Sequence, residues 1–551
     1  MLVRRAPLFF LLFACNPPTT QGGSDDTGDT GTTGTTTTGT TGPLTSSGTT
    51  GEPTTGEPDG TTGGTGEPLP EPLPPLDQHV PLTDEVVRNP THPRDDPRIF
   101  DMRIPADVEA ALAQGYGDVE LLPGEPVLPR TLDGAPPPAP GPAPKLLVRF
   151  VHLADVQLAD DESPARLASY DEVADGAFRP QEGHVCRMLN AGVRTINALH
   201  AELPLDFVLL GGDNTDSAQR NELEWFMAIL NGAPVVECDS ALDDDPVPGP
   251  DNDPKDRFAP VGLDVPWRWV TGNHDILRQG TFPILDWGEP VGTECFGGTR
   301  DYSQPGAPIV EGTVPADPAR AFLAEAEQVA IVAADGDGHG VDAGAVALGR
   351  AFYTFDVPGT KLRFFIMSTA TTTGSSKGLI RPPDLENIIA PALDAAFADG
   401  KWVIVSSHHR SGSLSDGQEF GIGTKFDDAL TAEQWVDFLG GYDNVILHLA
   451  AHTHRLSAEP MQPAGGHPYW EMVTPSLNDF PSQMRLIEVW DQDNGALTIR
   501  SLAFDMVTDG DPLAEHGRTL AVVDFTSGWE GDGRGTGPDQ RNVELWIPAP
   551  D

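Results

Sequence analysis

Cysteine is scarce in this sequence of 551 residues: there are four, none in a C-x-x-C pair, which excludes a zinc ribbon, a thioredoxin-like centre and a disulfide-framed miniature fold. Basic side chains are few as well. Against 34 Lys and Arg stand 83 Asp and Glu, for a formal net charge of −49. Binding a phosphate backbone requires the reverse surplus, so no nucleic-acid partner is expected. Such an acidic surface stays soluble, concentrates cations including divalent metals, and slows the approach of polyanions. Apolar residues amount to 38%, and the chain is too long for one average domain, so a large domain with attachments is expected.

What is present is unevenly distributed. Arg4 and Arg5 precede an apolar stretch, residues 6–14, too short to span a bilayer and suited to the h-region of a secretory signal. It runs into Leu12-Phe13-Ala14-Cys15, which resembles the lipobox of bacterial lipoproteins. On that resemblance residues 1–15 are a lipoprotein signal peptide and Cys15 carries the lipid. The protein is then extracytoplasmic and anchored to a bacterial membrane, at the outer membrane or cell surface, without spanning it. Residues 16–75 are nearly all Thr, Gly, Pro, Ser, Asp and Glu, with a recurring T-G-E-P. They cannot bury apolar surface and are predicted to be a disordered tether; about 60 such residues span roughly 40 Å root-mean-square. Residues 76–145 have helical potential at 106–113 and a Pro/Ala loop at 135–144, and read as an N-terminal extension packed on the main domain.

From residue 145 the texture changes. Short β-rich apolar runs at 146–153, 207–210, 267–270, 362–367, 402–406 and 445–449 alternate with helix-like stretches at 183–202 and 385–397. Alternation of this kind predicts an α/β architecture, assigned to 146–510, with 511–551 as a C-terminal extension.

Polar, metal-capable residues follow most of these strands. Asp155 follows the first, in F-V-H-L-A-D-V-Q; G-D-N-T-D, residues 212–216, follows the second; G-N-H-D, residues 272–275, the third; His408-His409 a later one; and A-H-T-H, residues 451–454, the last. Taken singly, a carboxylate at a strand end is usually a helix cap or turn former, and a lone buried histidine a packed core residue. Asp, Asn and His are also the oxygen and nitrogen ligands that Mn, Fe and Zn prefer. In extended backbone His452 and His454 would point to one side. Five such segments, all at strand ends, form a constellation that chance explains poorly.

In order and spacing these blocks resemble the calcineurin-like metallophosphoesterase superfamily, whose pattern is D-x-H, G-D-x-x-D, G-N-H-[D/E], an isolated His and G-H-x-H. The resemblance covers roughly residues 146–510 and extends to a bacterial secreted subgroup through G-D-N-T-D-S-A-Q-R-N-E-L-E-W-F and S-L-N-D-F-P-S-Q-M-R-L-I-E-V. It implies a four-layer α/β/β/α sandwich with two central mixed sheets and a dinuclear centre of Mn, Fe or Zn at the strand ends. Carried over position by position, Asp155, Asp213 and His454 would hold the first metal, with Gln157 in the place of a histidine. Asp213 would bridge to the second metal, completed by Asn273, His408 and His452. His274 would be the catalytic histidine, oriented by Asp216. The implied reaction is hydrolysis of a small phosphate ester, a monoester, diester or pyrophosphate. Two metals about 3.5–4 Å apart would activate a water and clamp the transition state, with His274 as proton donor to the leaving group.

The departures from the pattern are specific. Gln157 offers a neutral amide oxygen, a weaker ligand than imidazole. Ala451 replaces a glycine, which affects backbone clearance. Ser217 stands where protein Ser/Thr phosphatases of this superfamily place a phosphate-gripping arginine, which argues against that activity. His408 is preferred to His409 on the family's H-x-P register, with Arg410 at the proline position. Other residues read as structural: His152 as a packed strand histidine, His184 and His200 as surface or supporting residues on a helix, and the Asp-rich stretch 239–256 as a solvated insertion, since it lacks the D-x-[D/N]-x-[D/N]-G spacing of a calcium loop. The long segments 235–265 and 280–351 are expected to form the rim of the site. Cys186, Cys238 and Cys295 allow one bridge and one free thiol, with the pairing open. The competing reading is a non-catalytic surface lipoprotein that retains the fold, with an impaired first metal site at Gln157.

Overall fold

The computed structural model describes residues 69–95, 98–171, 176–284, 290–292 and 294–550. The signal segment, Cys15 and the tether as far as residue 68 lie outside the described residues.

Two sheets form the centre. In the larger, β4 (Lys145–Leu153), β5 (Phe207–Leu210) and β6 (Trp267–Arg268) run parallel. Beyond β4 the sheet continues antiparallel through β15 (Gln483–Asp491), β16 (Ala496–Asp505) and β17 (Val543–Pro548), and ends on β3 (Leu128–Thr131), parallel to β17. The second sheet holds β10 (Leu362–Met367), β11 (Trp402–Ser407), β12 (Val445–Ala450) and β14 (Tyr469–Val473) in parallel, with β9 (Tyr353–Asp356) and β13 (Ser457–Met461) as antiparallel edges. Two short antiparallel pairs lie outside these sheets: β1 (Val86–Pro90) with β2 (Val119–Pro123), and β7 (Glu294–Arg300) with β8 (Ile309–Thr313).

The central strands are apolar almost without interruption because both of their faces are covered. Along β10, Leu362, Phe364 and Ile366 face the larger sheet, whereas Phe365 and Met367 face helices on the outer side. Phe364 packs edge-on against Phe150 of β4 and Phe207 of β5, with ring centroids 5.4 and 5.3 Å apart, which locks the two sheets face to face. The outer layer on one side is built on the helices Val185–Glu202, Arg220–Asn231 and Pro512–Thr526, and on the other on Ala390–Ala398 and Ala432–Leu439. This is the α/β/β/α sandwich. The first of these helices ends at Leu203, whose extended backbone precedes Pro204 and cannot continue a helix.

Several expectations need correction. Residues 511–550, read as a C-terminal extension, are built into the sandwich: helix Pro512–Thr526 packs on Val185–Glu202, and β17, with Val543, Leu545 and Ile547 buried, pairs with β16 along six residues. The N-terminal extension supplies β3 to the larger sheet, which is no correction of its reading. Of the two places open to His184, surface or supporting, it takes the buried one, its ring 5.0 Å from that of His516. The Asp-rich stretch is only partly solvated, since Asp239, Ser240, Asp253 and Lys255 are buried and the Lys255 ammonium lies 2.9 Å from Asp161. A disulfide joins Cys186 to Cys238 and ties this stretch to the helix Val185–Glu202, leaving Cys295 free and buried. Among the described residues no helix is long and apolar enough to cross a membrane.

Candidate metal centre

Because β4, β5, β6, β11 and β12 are parallel within their sheets, the segments leaving their C-terminal ends meet at one end of the sandwich. The crossing between the sheets is tight. A methyl at Gly211 would fall 2.4 Å from Cβ of Ala154 and 3.1 Å from that of Ala451, so the alanine in A-H-T-H is accommodated by the glycine opposite it. Asp155, Gln157, Asp213, His452 and His454 all adopt left-handed backbone, with φ of 49°, 45°, 53°, 70° and 52°. For residues other than glycine this conformation costs energy and persists only where the surroundings enforce it.

At the centre lie two carboxylates almost wholly withdrawn from water, Asp155 and Asp213. His408 Nδ1 donates to Gly211 O at 2.8 Å, which turns its Nε2 toward them, 3.0 Å from Asp213 Oδ2 and 3.9 Å from Asp155 Oδ1. His454 Nε2 is 3.4 Å from Asp155 Oδ1. The His452 amide donates to both oxygens of Asp155 at 3.2 Å, and its ring centroid lies 5.2 Å from that of His408. His409, adjacent in sequence, is engaged at both nitrogens: Nδ1 with the Thr369 hydroxyl at 2.8 Å and Nε2 with the Ser376 carbonyl at 3.0 Å.

The amides at 157 and 273 bear most directly on whether a metal fits. The Asn273 Nδ2 donates to Gly280 O at 2.9 Å, fixing the side chain so that Oδ1, buried, is left without a hydrogen-bond partner. Gln157 is 2% exposed and its Oε1 is also buried without a partner. An orphaned buried carbonyl oxygen is costly unless a cation or donor answers it. Asp155, Asp213 and His408 present atoms within 4.8 Å of one another, as do His408, His409 and His452. Carboxylate, amide oxygen and imidazole are the donors that Mn, Fe and Zn take.

The electrostatics agree. Burial opposes charge on His408, yet the Asp213 and Asp155 carboxylates raise its pKa to about 9. His452 is pushed far below the usual histidine value by burial and by the neighbouring His409 and His408. Without a metal, His408 therefore keeps a proton against the two carboxylates, while His452 stays neutral. His274 stands beside it. Its amide donates to Asp213 Oδ1 at 2.8 Å, and its ring Nδ1 lies 2.9 Å from Asp216 O and 3.3 Å from Asp216 Oδ1. Burial works against its charged form, but Asp213 and Asp216 raise its pKa.

The family model for calcineurin-like phosphoesterase matches residues 148–456. This chain belongs to that family. Comparison with curated proteins gives no match. Membership makes metal-dependent hydrolysis of phosphoesters the general chemistry of the domain, and the clusters just described are its candidate metal-binding groups.

Sequence reasoning gave no role to several residues on which this phosphoesterase centre rests. Asp275, the last residue of G-N-H-D, accepts the amides of Gly272, Asp213, Asn214 and Thr215 at 2.7, 3.0, 2.9 and 3.0 Å. It fastens the second motif to the third. Its position inside the motif was the available signal. Arg166, outside every block and 50 residues from Asp216, forms buried ion pairs with Asp216 and Glu182, and nothing local pointed to it. Asp479 and Arg179 likewise form a buried pair at 2.7 Å, beside His454. His152, as expected, is packed in the core, with Nδ1 2.6 Å from the Thr474 hydroxyl. Removing the carboxylate at 275 would strand four backbone donors. Asp275→Ala is therefore expected to lower folding stability by about 3 kcal/mol or more, read from denaturant midpoints. A loss below about 0.5 kcal/mol would mean that the amides find other acceptors.

Proposed function

We propose that this protein is a dinuclear-metal phosphoric ester hydrolase acting on small phosphomonoesters, phosphodiesters or pyrophosphates. The observation that carries the reading is the buried cluster of Asp155, Asp213 and His408, together with the buried amide oxygens Gln157 Oε1 and Asn273 Oδ1 in the flanking motifs, which no hydrogen bond answers. In this assignment Asp155, Gln157, Asp213 and His454 hold the first metal, and Asp213, Asn273, His408 and His452 the second, Asp213 serving both. His409 is left out because both of its nitrogens are already engaged. The metals, when bound, supply the activated water and neutralise charge on the phosphoryl oxygens.

The remaining steps belong to side chains. Asp216 engages His274 at Nδ1, so Nε2 is the atom free to carry a proton to the leaving oxygen. Arg166 holds Asp216 from behind, so the orienting carboxylate does not swing toward the substrate. Gly280 lies against the His274 ring, where a methyl would come 2.3 Å from Nε2, so bulk there would obstruct the proton path.

The features at the N-terminus support a further part of the proposal: a protein secreted and lipidated at Cys15, held to a bacterial membrane by the Thr/Gly/Pro-rich segment. The Cys186–Cys238 disulfide favours such an oxidising compartment.

Three outcomes are expected. The protein loaded with Mn, Fe or Zn hydrolyses at least one member of a panel of phosphomonoesters, phosphodiesters and pyrophosphates, and His274→Ala lowers kcat about 10²- to 10⁴-fold; no turnover above that variant would refute the assignment. Gln157→His tightens the first metal in equilibrium titration, while close to two metals per parent chain distinguishes an enzyme from a non-catalytic lipoprotein, which would hold one or none. Cys15→Ser moves the protein from the membrane fraction to the soluble one, and an unchanged distribution would rule out lipid anchoring.

A further inference from the structure

We propose that the turn Ser476-Leu477-Asn478-Asp479 is the positioning element of the first metal site, with Asp479 fixing the tautomer of His454 and Ser476 the backbone of Asp155. This rests on the reading that Asp155 and His454 serve one metal. The turn touches that site at three points. The Leu477 amide donates to Ala154 O at 3.1 Å, the Ser476 hydroxyl donates to Asp155 O at 2.7 Å, and Asp479 Oδ2 lies 2.5 Å from His454 Nδ1. The same hydroxyl accepts the amides of Asn478 and Asp479 at 3.0 Å each, so the geometry of the turn and its hold on Asp155 depend on one oxygen.

The chemistry follows from the acceptor. A carboxylate at Nδ1 requires the imidazole hydrogen to sit there, which leaves the lone pair on Nε2, the atom 3.4 Å from Asp155 Oδ1. A carboxylate also makes the imidazole a stronger donor to a metal than a neutral acceptor does. The contrast with His408 is direct, since its Nδ1 meets a backbone carbonyl. Asp479 is itself immobilised, its Oδ1 accepting from Arg179 Nε at 2.7 Å and from Gln181 Nε2 at 3.2 Å. The stronger support therefore falls on the metal whose ligands include the neutral amide of Gln157. Asp479 strengthens the histidine that remains where the family's other histidine is missing.

The test uses the full chain and titrates Mn or Zn into two backgrounds: His408→Ala, which isolates the first site, and His454→Ala, which isolates the second. Asp479→Asn is expected to weaken the first site about 10- to 100-fold and to change the second by less than about two-fold, with Asp479→Glu recovering part of the loss. Because Asp479→Asn also unpairs Arg179, Ser476→Ala serves as a second probe that keeps that pair, and it too should weaken the first site selectively. Equal weakening of both sites, or none in either variant, would overturn the proposal. A parent chain holding fewer than two metals would instead overturn the dinuclear assignment itself.

Discussion

Two carboxylates buried at the junction of two sheets, Asp155 and Asp213, impose the constraint on which this structure is built. Charges so far from water are tolerated only if other charge or directed dipoles answer them. Here the answers come from both sheets: His408 from the end of β11, the His452 amide and the His454 ring from the segment after β12, and the His274 amide from the loop after β6. In the same motifs the buried amide oxygens of Gln157 and Asn273 find no hydrogen-bond partner. Buried carboxylates, imidazoles and unanswered amide oxygens make up a donor set that a multivalent cation suits.

The constraint explains the cost accepted elsewhere. Five of the seven proposed ligands sit in left-handed backbone, a conformation that a loop left to itself would abandon. Two inner carboxylates prevent this. Asp275 gathers four amides and ties the loop after β5 to that after β6. Asp479, gripped by Arg179, braces the loop after β12 through His454. Neither is a proposed ligand; each holds a segment that carries one.

Legibility in the sequence divided along the same line. The strands at 207–210, 362–367 and 445–449 could be found because strands covered on both faces are apolar throughout. The blocks bearing Asp155, Asp213, Asn273, His274 and His452 were visible because each is short and follows its strand directly. Arg166 and Arg179 were not, since their partners, Asp216 and Asp479, lie 50 and 300 residues away in the chain. Residues 511–551 looked like an appendage because β17 is separated from its neighbour β16 by a helix and a loop. Only the open edge of β16 shows that the last strand is needed to cover it.

The sequence by itself determined the α/β class, the order of the candidate ligand blocks and the family they belong to, because these depend on local periodicity and on motifs a few residues long. Tertiary structure alone decided that Cys186 pairs with Cys238, that His409 is occupied while His408 faces the carboxylates, and that the Gln157 oxygen is buried without a partner. Each of these depends on which groups from distant parts of the chain meet in three dimensions, and a buried atom's partners are set by that meeting rather than by its neighbours in sequence.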